Sequence, residues 1–139
     1  MELTFEKIIP NFTQIRVLYE LLSKRRHVIS HTEMPSYEEH NDFVLKNPYL
    51  AWYLISRDDE FRGSVYVQYD NSIGINFVLP NEEDISGVLS FIKGHHEPLP
   101  MIQSVRRGEL FVNISANDEN LIGILEKVGK KEISRSFIV

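Results

Sequence analysis

Residues 51–78, AWYLISRDDEFRGSVYVQYDNSIGINFV, decide the fold. Ala51 to Ser56 is a nearly continuous apolar run, as in a strand covered on both faces. Asp58-Asp59 makes a turn. Ser64 to Tyr69 then alternates Val65, Val67 and Tyr69 against Ser64, Tyr66 and Gln68, a period of two. Asp70-Asn71 turns the chain again, and Ile73 to Val78 is the third strand. Three consecutive strands joined by tight turns predict an antiparallel centre to a sheet.

On the N-terminal side, Leu3 to Ile9 reads as a short strand ended by Pro10. Asn11 then caps a helix, because its side chain can accept a bond from a free first-turn amide. Phe12, Ile15, Leu18 and Leu22 follow at helical spacing, carrying that helix to about Lys24. His27 to Met34 reads as a loop. Pro35-Ser36 opens a second helix, in which Ser36 and Glu39 form a capping-box pattern and Tyr37, His40, Phe43 and Val44 share a face. Asn47-Pro48 stops it.

On the C-terminal side, Asn81-Glu82-Glu83-Asp84 opens a third helix with the stripe Ile85, Val88, Leu89 and Ile92, and Gly94 as its C-cap. Gly94 to Pro100 is the one long irregular stretch. Glu109 to Ile114 reads as a strand. Asn117 to Val128 reads as a helix with Leu121, Ile122, Leu125 and Val128 inward and Gly129 at its end, and Ile133 to Val139 as a last strand. The order β-α-α-β-β-β-α-β-α-β predicts one α/β domain over 1–139, a mixed sheet with helices on both faces.

The chain has 139 residues, no Cys, 42% hydrophobic and 25% charged residues, and a formal charge of -5. That length suffices for a core without a metal or disulfide staple. The absent cysteines exclude a thiol nucleophile and Cys-ligated zinc. The acidic balance argues against a nucleic-acid partner. No run reaches the ~18 apolar residues of a membrane span. Met1 to Lys7 lacks the basic start and long apolar run of a signal peptide, so a cytoplasmic location is expected. His95-His96 has only Glu97 as a near carboxylate, and adjacent residues rarely ligate one ion, so no metal site is expected.

Several local sequences resemble the GNAT-type N-acetyltransferase superfamily, whose members use acyl-CoA to acetylate amines. Ser30-His31-Thr32-Glu33-Met34-Pro35-Ser36-Tyr37-Glu38-Glu39-His40, followed by Phe43, looks like the loop and second helix of bacterial members. Tyr49 to Ile55, Gly63-Ser64-Val65-Tyr66 and Asn71-Ser72-Ile73-Gly74-Ile75 look like their second, third and fourth strands. Asn113 to Asn120 with Glu126-Lys127-Val128-Gly129 resembles the fifth strand and fourth helix. The nearest likeness is to members that acetylate small amines or amino sugars.

The resemblance implies acetyl transfer from acetyl-CoA to a small primary amine, with a nucleotide-linked amino sugar as one candidate, by direct attack on the thioester. It implies CoA contacts from Asn76, Phe77 and Val78 on a splayed fourth strand, from Ser86 and Gly87 at the third helix, and from Asn113 and Asp118. His31 and Glu33 would border the acceptor amine as proton acceptors. Tyr53 would face either the acceptor cleft or the core, and Trp52 the core. A homodimer is left open.

The chain also departs from the pattern. Members usually carry a basic, glycine-rich loop before the third helix to hold the CoA pyrophosphate. Here the place reads Leu79-Pro80-Asn81-Glu82-Glu83-Asp84-Ile85-Ser86-Gly87. Those carboxylates either stabilise a helix N-terminus or oppose a phosphate. Leu125 stands where many members place an acidic tyrosine, Asp118 where an asparagine is common, and Lys130 where an aromatic follows the final glycine. The rival reading is therefore a catalytically inactive acetyltransferase-like domain with a binding or regulatory role. Lys24-Arg25-Arg26 and Arg106-Arg107 are short basic clusters, either solvated faces or contacts to a phosphate-bearing ligand.

Overall fold

A computed structural model describes residues 2–24 and 34–139. Its elements run β1 (Thr4–Lys7), α1 (Phe12–Ser23), α2 (Tyr37–Lys46), β2 (Ala51–Arg57), β3 (Glu60–Val67), β4 (Ser72–Phe77), α3 (Glu82–His95), β5 (Phe111–Asn113) and α4 (Glu119–Lys127). The five strands form one sheet in chain order. β1 to β4 pair antiparallel, and β5 joins β4 in parallel.

The N-caps are those the residue types predict; at the other end of α3, Gly94 is not the C-cap expected of it, since the helix runs on to His95 and is capped by His96. Asn11 accepts from the Gln14 N–H. Ser36 with Glu39, and Asn81 with Asp84, close full capping boxes. Asp58 and Asp59 at φ 52° and 62° make a tight β2–β3 hairpin, so β3 begins at Glu60, earlier than Ser64.

Strand alternation sorts the core into layers. Trp52 and Leu54 point toward α1 and α2, where they pack with Ile15, Leu18, Leu21 and Val44. Ile55, Val65, Val67 and Ile73 point the other way, against Val88 and Ile92 of α3. A third cluster, Ile85, Leu89, Leu121, Ile124 and Leu125, joins α3 to α4. Two glycines keep neighbouring strands close. A Cβ on Gly63 would lie 2.1 Å from the Asn76 carbonyl oxygen, and one on Gly74 would lie 2.0 Å from Tyr66 Cζ.

One expected element is not a strand. Ile133–Val139 makes no ladder and is exposed, with Phe137 85% and Ile138 102% accessible. Its alternation is strand-like, but among the described residues no sheet edge pairs with it, and a strand exists only through its partner's hydrogen bonds. Among the described residues, no helix is long and apolar enough to cross a membrane.

Candidate active site

β4 and β5 share only three register pairs, Ser72 with Phe111, Ile73 with Val112 and Gly74 with Asn113. Beyond Gly74 the strands part. The gap is a cleft of about 340 Å³ lined by residues 75–80 of β4 and its following loop, by 113–115 and 118, 120 and 121 at the head of α4, and by Lys24 at the end of α1.

The ladder shows which backbone groups face this cleft. Gln68 donates to the Ser72 carbonyl and Val78 donates to the Arg62 carbonyl, both across the β3–β4 pair. Even-numbered residues of β4 therefore spend their backbone groups on β3, and odd-numbered ones point toward β5. Phe77 lies past the last β5 pair, so its N–H and C=O open into the cleft. The expectation for this edge is thus corrected: Phe77 offers its backbone, whereas the Val78 amide is taken and Asn76 lies in the same phase as Val78. Asn76 still lines the cleft, on the sheet face shared by Gly74 and Asn113.

Asp118 caps α4 by accepting from the Leu121 N–H at 3.1 Å and also lines the cleft. Asn113 lines it directly. Ser86 and Gly87 do not. α3 starts at Glu82, so both sit in its second turn, where amides are already bonded within the helix. Ser86 is exposed, and Gly87 faces the Leu3 side chain.

Tyr53 is also away from the cleft. It is one residue out of phase with Trp52 and Leu54, and therefore lies on the α3 face. Its hydroxyl meets His96 Nε2 at 2.8 Å, and its ring packs edge-on against Phe91. Burial raises the Tyr53 pKa. Burial lowers that of His96, helped by the positive potential of His95 and Lys7. Tyr53 is a packed tyrosine with a histidine partner, not a wall of the cleft. His31 and Glu33 lie outside the described residues.

His95 stacks on Phe91 and uses Nδ1 to meet the Phe91 carbonyl at 2.8 Å. Among the described residues, no group of three His, Asp or Glu side chains is placed to hold a metal. The Arg106 Nε donates to the Pro100 carbonyl, and the Arg107 guanidinium lies 5.9 Å from the Phe111 ring centre, so this basic pair braces its own loop. Leu125 is buried between α3 and α4, which leaves no hydroxyl at that point.

The three acids of the β4–α3 connection have separate fates. Asp84 is 2% exposed; its Oδ2 accepts from the Asn81 N–H at 3.2 Å, and its Oδ1 is paired with Arg57. Glu82 is 3.8 Å from Lys127. Glu83 is exposed. Arg57, and Asn71, whose buried side chain bonds to the Leu99 N–H and to the carbonyls of Leu99 and Arg107, are the residues that sequence reasoning missed, since neither carries a local motif.

No family model and no curated protein matches this sequence. Solved structures do match its shape. A domain from Methanocaldococcus jannaschii superposes with a TM-score of 0.64 at 14% identity, over 97% of this chain and 92% of that one. The aminoglycoside N-acetyltransferase AAC(6')-Iy in complex with CoA gives 0.62 at 13% identity, over 99% and 93%. A GNAT family acetyltransferase from Streptococcus pneumoniae gives 0.53 at 13% identity, over 99% and 97%. At such identities the likeness is one of architecture, and the chain has the fold of the GNAT acetyltransferases.

Proposed function

We propose that the chain is an N-acetyltransferase that moves an acetyl group from acetyl-CoA or a related thioester to a small primary amine. The observation that carries this reading is the parting of β4 from β5, which leaves the Phe77 backbone facing a cleft. The thioester arm fits this place: an extended chain lying beside β4 finds backbone partners there. The Phe77 N–H is the donor available to a carbonyl oxygen that gains negative charge during attack.

The transfer forms a C–N bond and breaks the thioester C–S bond. One amine proton is lost, and the departing sulfur gains one. Glu33 and His31 are the residues proposed to take the amine's proton. With no Cys in the chain, attack is direct, without a thiol-bound intermediate. The AAC(6')-Iy structure was solved with CoA, and its name describes acetylation of aminoglycosides, which supports a small-amine acceptor here.

A second reading, an inactive domain that binds without transfer, is favoured by one observation: Leu125, at the position where the resemblance implies a tyrosine acid, is buried in the α3–α4 core and offers no proton. Thiol release in the presence of a panel of primary amines, amino sugars included, decides between them. The enzyme reading expects amine-dependent thiol release and acetylated product. Saturable thioester binding with release no faster than the buffer rate favours the binding module.

A further inference from the structure

β5 ends the sheet, and among the described residues nothing pairs with its outer edge. The Phe111 N–H donates to the Asn71 carbonyl, so Phe111 and Asn113 turn their backbone groups to β4. Val112 therefore turns its N–H and C=O outward, and neither has a backbone partner among the described residues. The side chains beside that edge, Leu110, Val112 and Ile114, pack on the α3 and α4 clusters yet are only half-buried. The opposite edge is better covered: on β1 the outward Lys7 carbonyl accepts from Gln14 Nε2 at 3.0 Å. An unpaired edge of this kind is a template for another strand.

The same chain carries a strand-like segment without a partner. Residues 131–139 are exposed throughout, and their one hydrogen bond among the described residues is internal, from Arg135 Nε to Glu132 Oε2 at 2.7 Å. In an extended segment Ile133, Arg135, Phe137 and Val139 share one face and Ser134, Ser136 and Ile138 the other. Laid along β5, the first face would sit beside Leu110, Val112 and Ile114 and leave the two serines to solvent. Within one molecule the tail does not lie there: Phe137 and Ile138 stand clear of their own domain, at 85% and 102% accessible. Every copy thus has one open edge and one idle strand, and a two-fold pair of copies matches both at once.

We propose that the chain forms a homodimer by strand exchange, in which residues 133–139 of each copy pair with the outer edge of β5 in the other. β5 is the far wall of the cleft and has only three register pairs with β4, so the partner's tail braces that wall from outside. The dimer follows from backbone pairing and apolar burial alone and is independent of the acetyl-transfer reading.

The chain has no Cys, so Ser136→Cys creates a single attachment site for a nitroxide. Nitroxide-bearing copies without isotope are mixed with ¹⁵N-labelled copies of the unsubstituted chain. The expected result is a dimer by light scattering, with the Val112 and Ile114 amides of the ¹⁵N copies broadened by the nitroxide of the other copy. A monomer across about a hundredfold range of concentration overturns the proposal, including one whose tail pairs with its own β5. A dimer that leaves Val112 and Ile114 unbroadened overturns it as well. The double variant R135P/S136P removes two consecutive tail N–H groups and so interrupts the ladder in either phase. It is expected to weaken dimerisation at least about tenfold while the far-ultraviolet spectrum keeps its helical signal. A dimer as tight as that of the unsubstituted chain overturns the proposal.

Discussion

Arg57→Ala is expected to cost about 3 kcal/mol of folding stability, a fall in melting temperature of about 10 °C. Asp84 is 2% exposed, and Arg57 Nη2 is its only cationic partner among the described residues. Removing the guanidinium leaves a carboxylate uncompensated in the interior, and that is costlier than losing both charges together. Arg57 itself keeps a quarter of its side chain in solvent, which places the loss at the low end of the range for broken buried pairs. Asp84→Asn should cost less, about 1 kcal/mol, because the amide oxygen can still accept from Asn81 and Arg57 can turn to water. Urea unfolding of the two variants checks the order. Equal losses would show that the charge is immaterial and only the cap counts.

Asn71→Ala is expected to cost a similar amount, about 3 kcal/mol, by a different route. Asn71 is 1% exposed and sits at φ 73°. Its side chain accepts from the Leu99 N–H at 2.7 Å and donates to the carbonyls of Leu99 at 3.0 Å and Arg107 at 2.8 Å. Its own carbonyl accepts from the Phe111 N–H, the first bond of the β4–β5 ladder. One residue therefore clasps the long connection from α3 to the strand that forms the far wall of the cleft. Asn71→Gly restores the left-handed backbone that Ala disfavours by about 1 kcal/mol, but not the clasp. Both variants should therefore speed amide exchange at Phe111–Asn113, Ala lowering stability more. Exchange at wild-type rates in both would show that β5 is held by its apolar contacts alone.

Much of this architecture is written in local patterns. The apolar run at Ala51, the alternation from Ser64 and the side-chain N-caps at Asn11, Ser36 and Asn81 are short-range signals, and each element they mark is present. Ile133–Val139 fails because alternation reports what a strand would bury, not whether an edge receives it. The site was legible only in part for a related reason. Placing the cleft beside Phe77 needs the β4 strand and the divergence of β5, and the first of these is visible in the sequence. Which β4 amides are free depends on the phase of the ladder with β3, and shifting the assignment by one residue exchanges Phe77 for Val78. The same single-residue phase carries Tyr53 to the α3 face. The Arg57–Asp84 pair joins residues 27 positions apart with no periodicity to announce it.

Those pairings also change the meaning of the acidic loop. Read as sequence, Glu82, Glu83 and Asp84 are three charges that either stabilise a helix N-terminus or oppose a phosphate. In the fold, Asp84 is structural, Glu82 is partnered, and Glu83 is exposed with no ion pair among the described residues.

The central claim is that an acyl thioester lies against β4 in the gap left by β5. Its most direct test is the amide spectrum of ¹⁵N-labelled protein titrated with S-acetylpantetheine. The Phe77 N–H, which has no strand partner among the described residues, should show the largest saturable shift, with Asn113 and Ser115 following. The Val78 N–H, bonded to Arg62, should move less. Saturable binding that leaves Phe77 unshifted and moves residues of another surface would contradict the account.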